Sequence, residues 1–255
     1  MKLISLVPAI LASFLFSVAT KADDVVEQSY TIKDVLEVHA SSGIKLELTQ
    51  GDTESLNLKA PAKVFKQIHV DQTDHKLSLK IDTDIFHLSG KEQIVFTLKV
   101  KNLQLLDLSG GVEANIGKLT LDKLIIKSSG GSEAEFANLQ IKDLNIDASG
   151  GAEVNLGTIK SEKVNLVLSG GSELDVKSSG STNSLTVNTG GGSECKAEKL
   201  SSETAEVVAG GASEIQVRAS KTLKVTAGGA SSVDYYGKPT VNSNVGGASE
   251  LSAKN

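Results

Sequence analysis

The residue type whose spacing most suggests chemistry in this chain is glutamate. Glu113, Glu133, Glu153, Glu173, Glu194, Glu214 and, beyond Ser232, Glu250 follow one another at intervals of 20, 20, 20, 21, 20, 18 and 18 residues. If like positions stack, the carboxylates stand about 4.8 Å apart, and neighbouring like charges at that distance repel by roughly 1 kcal/mol even in water. A row of hard oxygen donors suits a divalent cation such as calcium, or a cationic partner. The competing expectation, which these residue types favour, is a solvated outward face whose glutamates splay apart, bond nearby Ser or amide groups, or share protons.

Other residues are weighed in the same way. Ser109, Ser129, Ser149, Ser169, Asn115 and Asn155 recur beside the same positions; a flat face of hydroxyls and carboxamides offers hydrogen bonds to a sugar polymer, whereas turn chemistry and amide stacking explain it without a ligand. The four histidines, His39, His69, His75 and His87, all precede the repeats, and the group His69, Asp71, Asp74 and His75 has no zinc-site spacing. Cys195, the single cysteine, alternates with apolar residues and has no histidine near it in sequence, so an inert buried thiol is expected, not a nucleophile. Polysaccharide-cleaving enzymes on repetitive β folds need a charged loop or unevenly placed carboxylates. Here insertions are of one residue or absent, so no catalytic residue and no cofactor is expected.

The elements that must position these residues follow from the columns around the glutamates. Three residues before each stands glycine: Gly110, Gly130, Gly150, Gly170, Gly191, Gly211, Gly229 and Gly247. Such a column marks a corner with positive φ or with no room for a Cβ. Apolar columns alternate on both sides of it, among them Ile126, Ile146, Leu166 and Val187 before the corner and Ala134, Val154, Leu174 and Cys195 after it, the first column running on to Ser243. On the same side as Ala134 and Val154, Phe136 and Val176 belong to a second inward column that ends in Tyr235 and Ala253. A third apolar column holds Leu119, Leu139, Ile159 and Leu200, with Ser179 and Ser220 substituting elsewhere. Period-two alternation around a glycine corner, recurring every 18 to 21 residues, describes a parallel β-helix of about eight coils over residues 103–255, all-β in class. A leucine-rich or irregular β-solenoid is the alternative, but the half-repeat after each glycine pair alternates as a strand, not as a helix.

Residues 1–22 have the layout of a secretory signal: Lys2, an apolar run from Leu3 to Val18, then small residues with candidate cleavage after Ala19 or Ala22. That run falls short of the roughly 20 residues a spanning helix needs, so the mature chain is expected to carry no membrane span. Residues 23–102 lack the glycine column but alternate in segments such as Ile44–Leu48 and Ile94–Val100, giving five to seven strands that cap the rod or form its first coils. With a net charge of −5, scattered lysines and Arg218 the only arginine, the basic stripe of a nucleic-acid binder is missing. No cap follows the coil that begins at Val245, so end-to-end self-association is expected.

The strings Ser41-Ser42-Gly43-Ile44-Lys45-Leu46-Glu47-Leu48-Thr49-Gln50-Gly51-Asp52, Leu56-Asn-Leu58-Lys-Ala60, Leu77-Ser-Leu79 and Leu105-Leu106-Asp-Leu108-Ser109-Gly110-Gly111, with the repeating Ser-Gly-Gly-x-Glu blocks, resemble the head GIN domain family of auto-transporter adhesins. The resemblance covers nearly all of the mature chain. It implies a right-handed parallel β-helix in an exported bacterial protein that is periplasmic, secreted or at the cell surface. It also implies an adhesive or surface-binding role toward a polysaccharide or surface protein, and it offers no catalytic residues to carry over. The chain departs from the family's name in lacking amphipathic strands for a membrane barrel of its own, so anchoring is expected to need another protein. The alternative is an envelope-maintenance solenoid without a discrete ligand.

Overall fold

From Gly110 onward, a glycine at one corner of each coil lets the chain turn from one face to the next within a single layer. Gly110 and Gly111 have φ of 66° and 77°, and the partner of Gly110 in every later coil is also left-handed. Space is as restrictive as dihedral angle here: a Cβ on Gly130 would lie 3.2 Å from the Gly110 nitrogen, and one on Gly211 only 2.5 Å from the Gly191 oxygen. The glycine column therefore stacks backbone on backbone along the rod.

The structure is a computed structural model that describes residues 25–82 and 93–254; the leader over 1–22 and His87 lie outside these residues. From the first full corner onward the strands are β8 (Leu105–Ser109), β9 (Glu113–Ser129), β10 (Glu133–Ser149), β11 (Glu153–Leu168), β12 (Glu173–Val176), β13 (Gly180–Thr189), β14 (Glu194–Ala209), β15 (Glu214–Ala227), β16 (Ser232–Tyr236), β17 (Thr240–Val245) and β18 (Glu250–Lys254). Each pairs in parallel with its counterpart one coil away, as in Leu144↔Val164 and Leu166↔Val187. The result is a β-solenoid of about 8 turns whose coils lie about 20 residues apart. The inward columns close into one apolar core that runs from Ile32 to Val233.

The earlier strands belong to the same sheet. They are β1 (Val25–Tyr30), β2 (Glu37–Ser41), β3 (Lys45–Gln50), β4 (Ser55–Pro61), β5 (Ile68–Thr73), β6 (Lys76–Ile81) and β7 (Val95–Val100). β2 stacks in parallel on β8 and β3 on β9, with Ser42 (φ 71°) standing in the glycine column and Gly43 beside it. That corner has two successive left-handed residues, as do those at Gly110, Gly130, Gly150 and Gly170, although one of the two here is a serine. β6 and β7 form the next layer out, parallel to β2 and β3. Beyond them β4 and β5 run antiparallel, and β1 pairs antiparallel to β4. The chain thus visits layers out of sequence order, and its direction reverses at that end of the rod.

Two expectations are corrected. In the third apolar column Gly180, not Ser179, lies opposite Leu200; a Cβ there would meet the Ile159 oxygen at 2.8 Å, so no serine fits. In the next coil Arg218 and Ala219 pair with Ser201 and Ser202, and Ser220 is exposed. The shorter coil skips residues at that bend, and the Arg218 Nε–H donates to the Glu198 carbonyl at 2.7 Å to close it. At the far end Ser243 and Ala253 are exposed instead of lining the interior, because no further described strand covers them.

Candidate functional site

The glutamate ladder exists in strict register. Glu113, Glu133, Glu153, Glu173, Glu194 and Glu214 are successive pairing partners, and Glu250 follows through Ser232. Basic residues relieve parts of it. Lys45 is the pairing partner of Glu113, and the Lys196 ammonium lies 2.7 Å from Glu194 and 3.3 Å from Glu173. The hydrogen bond to Glu194, followed by the contacts with Glu173, raises the Lys196 pKa well above the usual lysine range. Glu133 has no cation beside it among the described residues; partial burial first, then the charges of Glu153, Glu135 and Glu113, push its carboxyl up. The ladder supplies one carboxylate per layer, a row instead of a cage. Among the described residues no group of three or more His, Cys, Asp or Glu side chains converges as a metal set.

The other singled-out residues are held separately. The Asn155 amide donates to Glu153 Oε1 at 2.7 Å, which places the carboxamide in the service of the ladder. The serines that matter to the corner are a different, buried set: Ser132, Ser193, Ser213 and Ser231 each donate to the carbonyl three residues back, at 2.7 to 3.1 Å. Their hydroxyls satisfy turn carbonyls. His69 faces Asp82 at 2.9 Å, His39 faces Asp107 at 3.2 Å, and His75 Nδ1 lies 2.7 Å from the Asp34 carbonyl oxygen, so the histidines do not assemble. Cys195 is fully buried, and burial pushes its thiol up to about 12.

A concavity that sequence reasoning missed runs along the third side of the rod. It has a volume of about 1290 Å³ and extends from Gln50 and Lys101 at one end to Gly237 and Lys238 at the other. Its outer wall is a column of long or hydroxylated side chains, Thr120, Gln140, Lys160, Ser181 and Ser201, each in register with the next. The floor column shrinks along the rod from Leu121 and Ile141 through Ser161, Thr182 and Ser202 to Ala219 and Gly237. Loss of side-chain volume at that bend hollows the side. Side chains also fix the bend: Gln50 bonds the backbone of Lys101 and Thr120, Ser161 the carbonyls of Lys142 and Lys163, and Ser202 the carbonyl of Arg218. The available signal was the irregularity of the third apolar column. A small residue where neighbouring coils carry Leu or Ile marks a dent.

Comparison with known proteins agrees with this architecture. A crystal structure from Parabacteroides distasonis ATCC 8503, described as a "putative lipid binding protein", superposes with a TM-score of 0.81 at 17% identity over 91% of this chain and 97% of that one. A "putative adhesin" from Bacteroides fragilis NCTC 9343 superposes at 0.69 with 19% identity, over 91% and 97% of the two chains. Another from Parabacteroides distasonis ATCC 8503 gives 0.76 with 14% identity, over 90% and 96%. At such identities the likeness shows the fold alone. No curated protein matches the chain. The model of one family spans residues 36–239, from the strand before the first corner to the groove's far end. The chain belongs to that family, described as "Putative auto-transporter adhesin, head GIN domain".

Proposed function

We propose that the protein is an exported, non-enzymatic binding module of adhesin type that holds an extended glycan, or another surface partner, along the groove of its third side. The observation that carries this reading is the groove's shape. It is open, with hydroxyl, amide and ammonium groups set along a surface that is otherwise largely apolar, and it passes seven strand layers, a length of about 30 Å. An open trough suits a polymer lying along it, whereas a small molecule is usually enclosed by its site. The chemistry is that of hydrogen bonding: hydroxyls, carboxamides and ammonium groups line it, without a nucleophile beside a base. Among the described residues no helix is long and apolar enough to cross a membrane.

The test is binding of the purified mature protein to isolated producer envelope polysaccharide and to intact cells. Ser181→Trp with Ser201→Trp plugs the groove at two exposed positions that leave the core untouched, and Glu133→Gln with Glu153→Gln alters the opposite chemistry of the ladder. Saturable binding lost in the first variant and kept in the second supports the reading. Binding to neither material by the parent protein overturns it and leaves the envelope-maintenance role.

A further inference from the structure

The charges of the groove differ from those of the molecule around it. The chain carries a net charge of −5, yet five cationic side chains line the groove against three acidic ones. The acids are also largely neutralised. Asp122 lies 2.6 Å from the Lys142 ammonium, and Glu203 lies 2.7 Å from that of Lys221. Arg218 is committed to the Glu198 carbonyl and to the ring of Tyr236, 5.2 Å from its guanidinium carbon. That leaves Lys101 at one end, Lys160 in the middle and Lys238 at the other end, all exposed and without an acidic partner among the described residues, against Glu162 alone.

Free ammonium groups distributed along an open trough, with hydroxyl and amide donors between them, are arranged for a linear polymer that carries spaced negative charge. The donors in the intervening layers are Gln140, Ser181 and Ser201. Among the described lining residues there is no aromatic side chain, and nucleic-acid grooves rely on aromatic stacking for much of their hold on single strands. Uronate-type sugars need no stacking platform; they need a cation for the carboxylate and donors and acceptors for the ring hydroxyls. The acidic ladder lies on a different side and repels the same polymer, which confines it to the groove.

We propose that the ligand of the groove is an acidic linear polysaccharide, its carboxylates read by Lys101, Lys160 and Lys238. This rests on the recognition role proposed above and narrows it to one ligand class and three residues.

The experiment measures retention of the mature protein on polygalacturonate, alginate and hyaluronate, each against its carboxyl-reduced neutral counterpart, with isolated envelope polysaccharide alongside. The expected result is saturable binding to at least one acidic polymer, weaker by tenfold or more for its reduced form and at high salt. It should also be lost in the triple variant Lys101→Glu, Lys160→Glu, Lys238→Glu, whose substitutions sit on exposed side chains and whose thermal midpoint serves as the folding control. Equal binding to acidic and reduced chains, undiminished binding by a folded triple variant, or binding to no acidic polymer overturns the proposal. If envelope polysaccharide is still bound in those cases, the broader recognition role stands; if nothing is bound, both fall. Competition by a single-stranded oligonucleotide at equal charge concentration would also overturn it, since charge alone would then explain the binding.

Discussion

At the scale of single residues the corner glycines differ in what they tolerate. Gly111 is left-handed but has open space where a Cβ would go, whereas Gly211 is left-handed and a Cβ would press on the Gly191 oxygen. Gly111→Ala should therefore cost about 1 kcal/mol of backbone strain, and Gly211→Ala clearly more, in the range of about 2–4 kcal/mol once the clash is added. Urea midpoints at constant slope check the order. Glu133 gives a pH-dependent case. Its folded pKa is raised above the ordinary value of 4.5, so the folded state holds that proton more tightly than the unfolded chain, and ionisation opposes folding increasingly as pH rises above the ordinary value and fully above the folded pKa. Glu133→Gln is expected to stabilise at pH 7 by less than about 1 kcal/mol, since the side chain is largely solvated. The advantage should shrink as pH falls through the folded pKa and vanish below the ordinary Glu range, as thermal midpoints from pH 7 to pH 3 would show. Cys195, buried with its thiol pushed up to about 12, should resist iodoacetamide at pH 8 until denaturant is added; mass spectrometry reads the difference.

At the scale of elements, stacked columns carry the stability. Leu166 is fully buried between Ile146 and Val187 in adjacent coils. Leu166→Ala should cost about 2–5 kcal/mol, while Val208→Ala, on a side chain 40% exposed, should be nearly neutral; denaturant melts of the two separate a core column from a surface one. The coil was legible in the sequence because its two regular sides repeat a period of two around a residue type that only a left-handed corner demands. The third side was not. There the chain bends, the coil length falls from 20 to 18, and side chains such as Ser161 and Ser202 serve backbone carbonyls instead of the core, so apolar periodicity slips by one residue at Gly180 and is lost at Arg218. The same loss of regularity makes the groove, which is why the proposed site escaped a reading built on repeats while the glutamate row stood out. The first corner was hidden for a related reason: Ser42 takes the left-handed position that glycine marks elsewhere.

At the scale of the whole molecule the two ends of the rod are unlike. At one end direction reverses, and the outer strands β1, β4 and β5 run antiparallel to their neighbours; β1 is further tied by the Glu27–Lys59 ion pair. At the other, β17 and β18 each have a strand neighbour on one side only among the described residues. Unpaired strand edges recruit other strands unless charge or proline interrupts them. β17 carries neither over Thr240–Val245, and the inward-type Val245 is 38% exposed beside a half-buried Val241 and Leu251. Two copies meeting through this end satisfy each other's edges in a closed, two-fold arrangement, whereas head-to-tail joining would have to match this parallel edge to the reversed layers at the opposite end. The expected state is thus a weak dimer, not a fibre. Sedimentation velocity over a wide concentration range should show the mass rising toward two chains and no further. Val245→Lys should hold the protein monomeric with its thermal midpoint nearly unchanged, because Val245 is already 38% exposed and no described strand packs beyond it. A monomer at every concentration would show that the polar row Asn242, Ser243 and Asn244 is enough to keep the edge solvated; growth beyond two chains would show that the reversed end also accepts a strand.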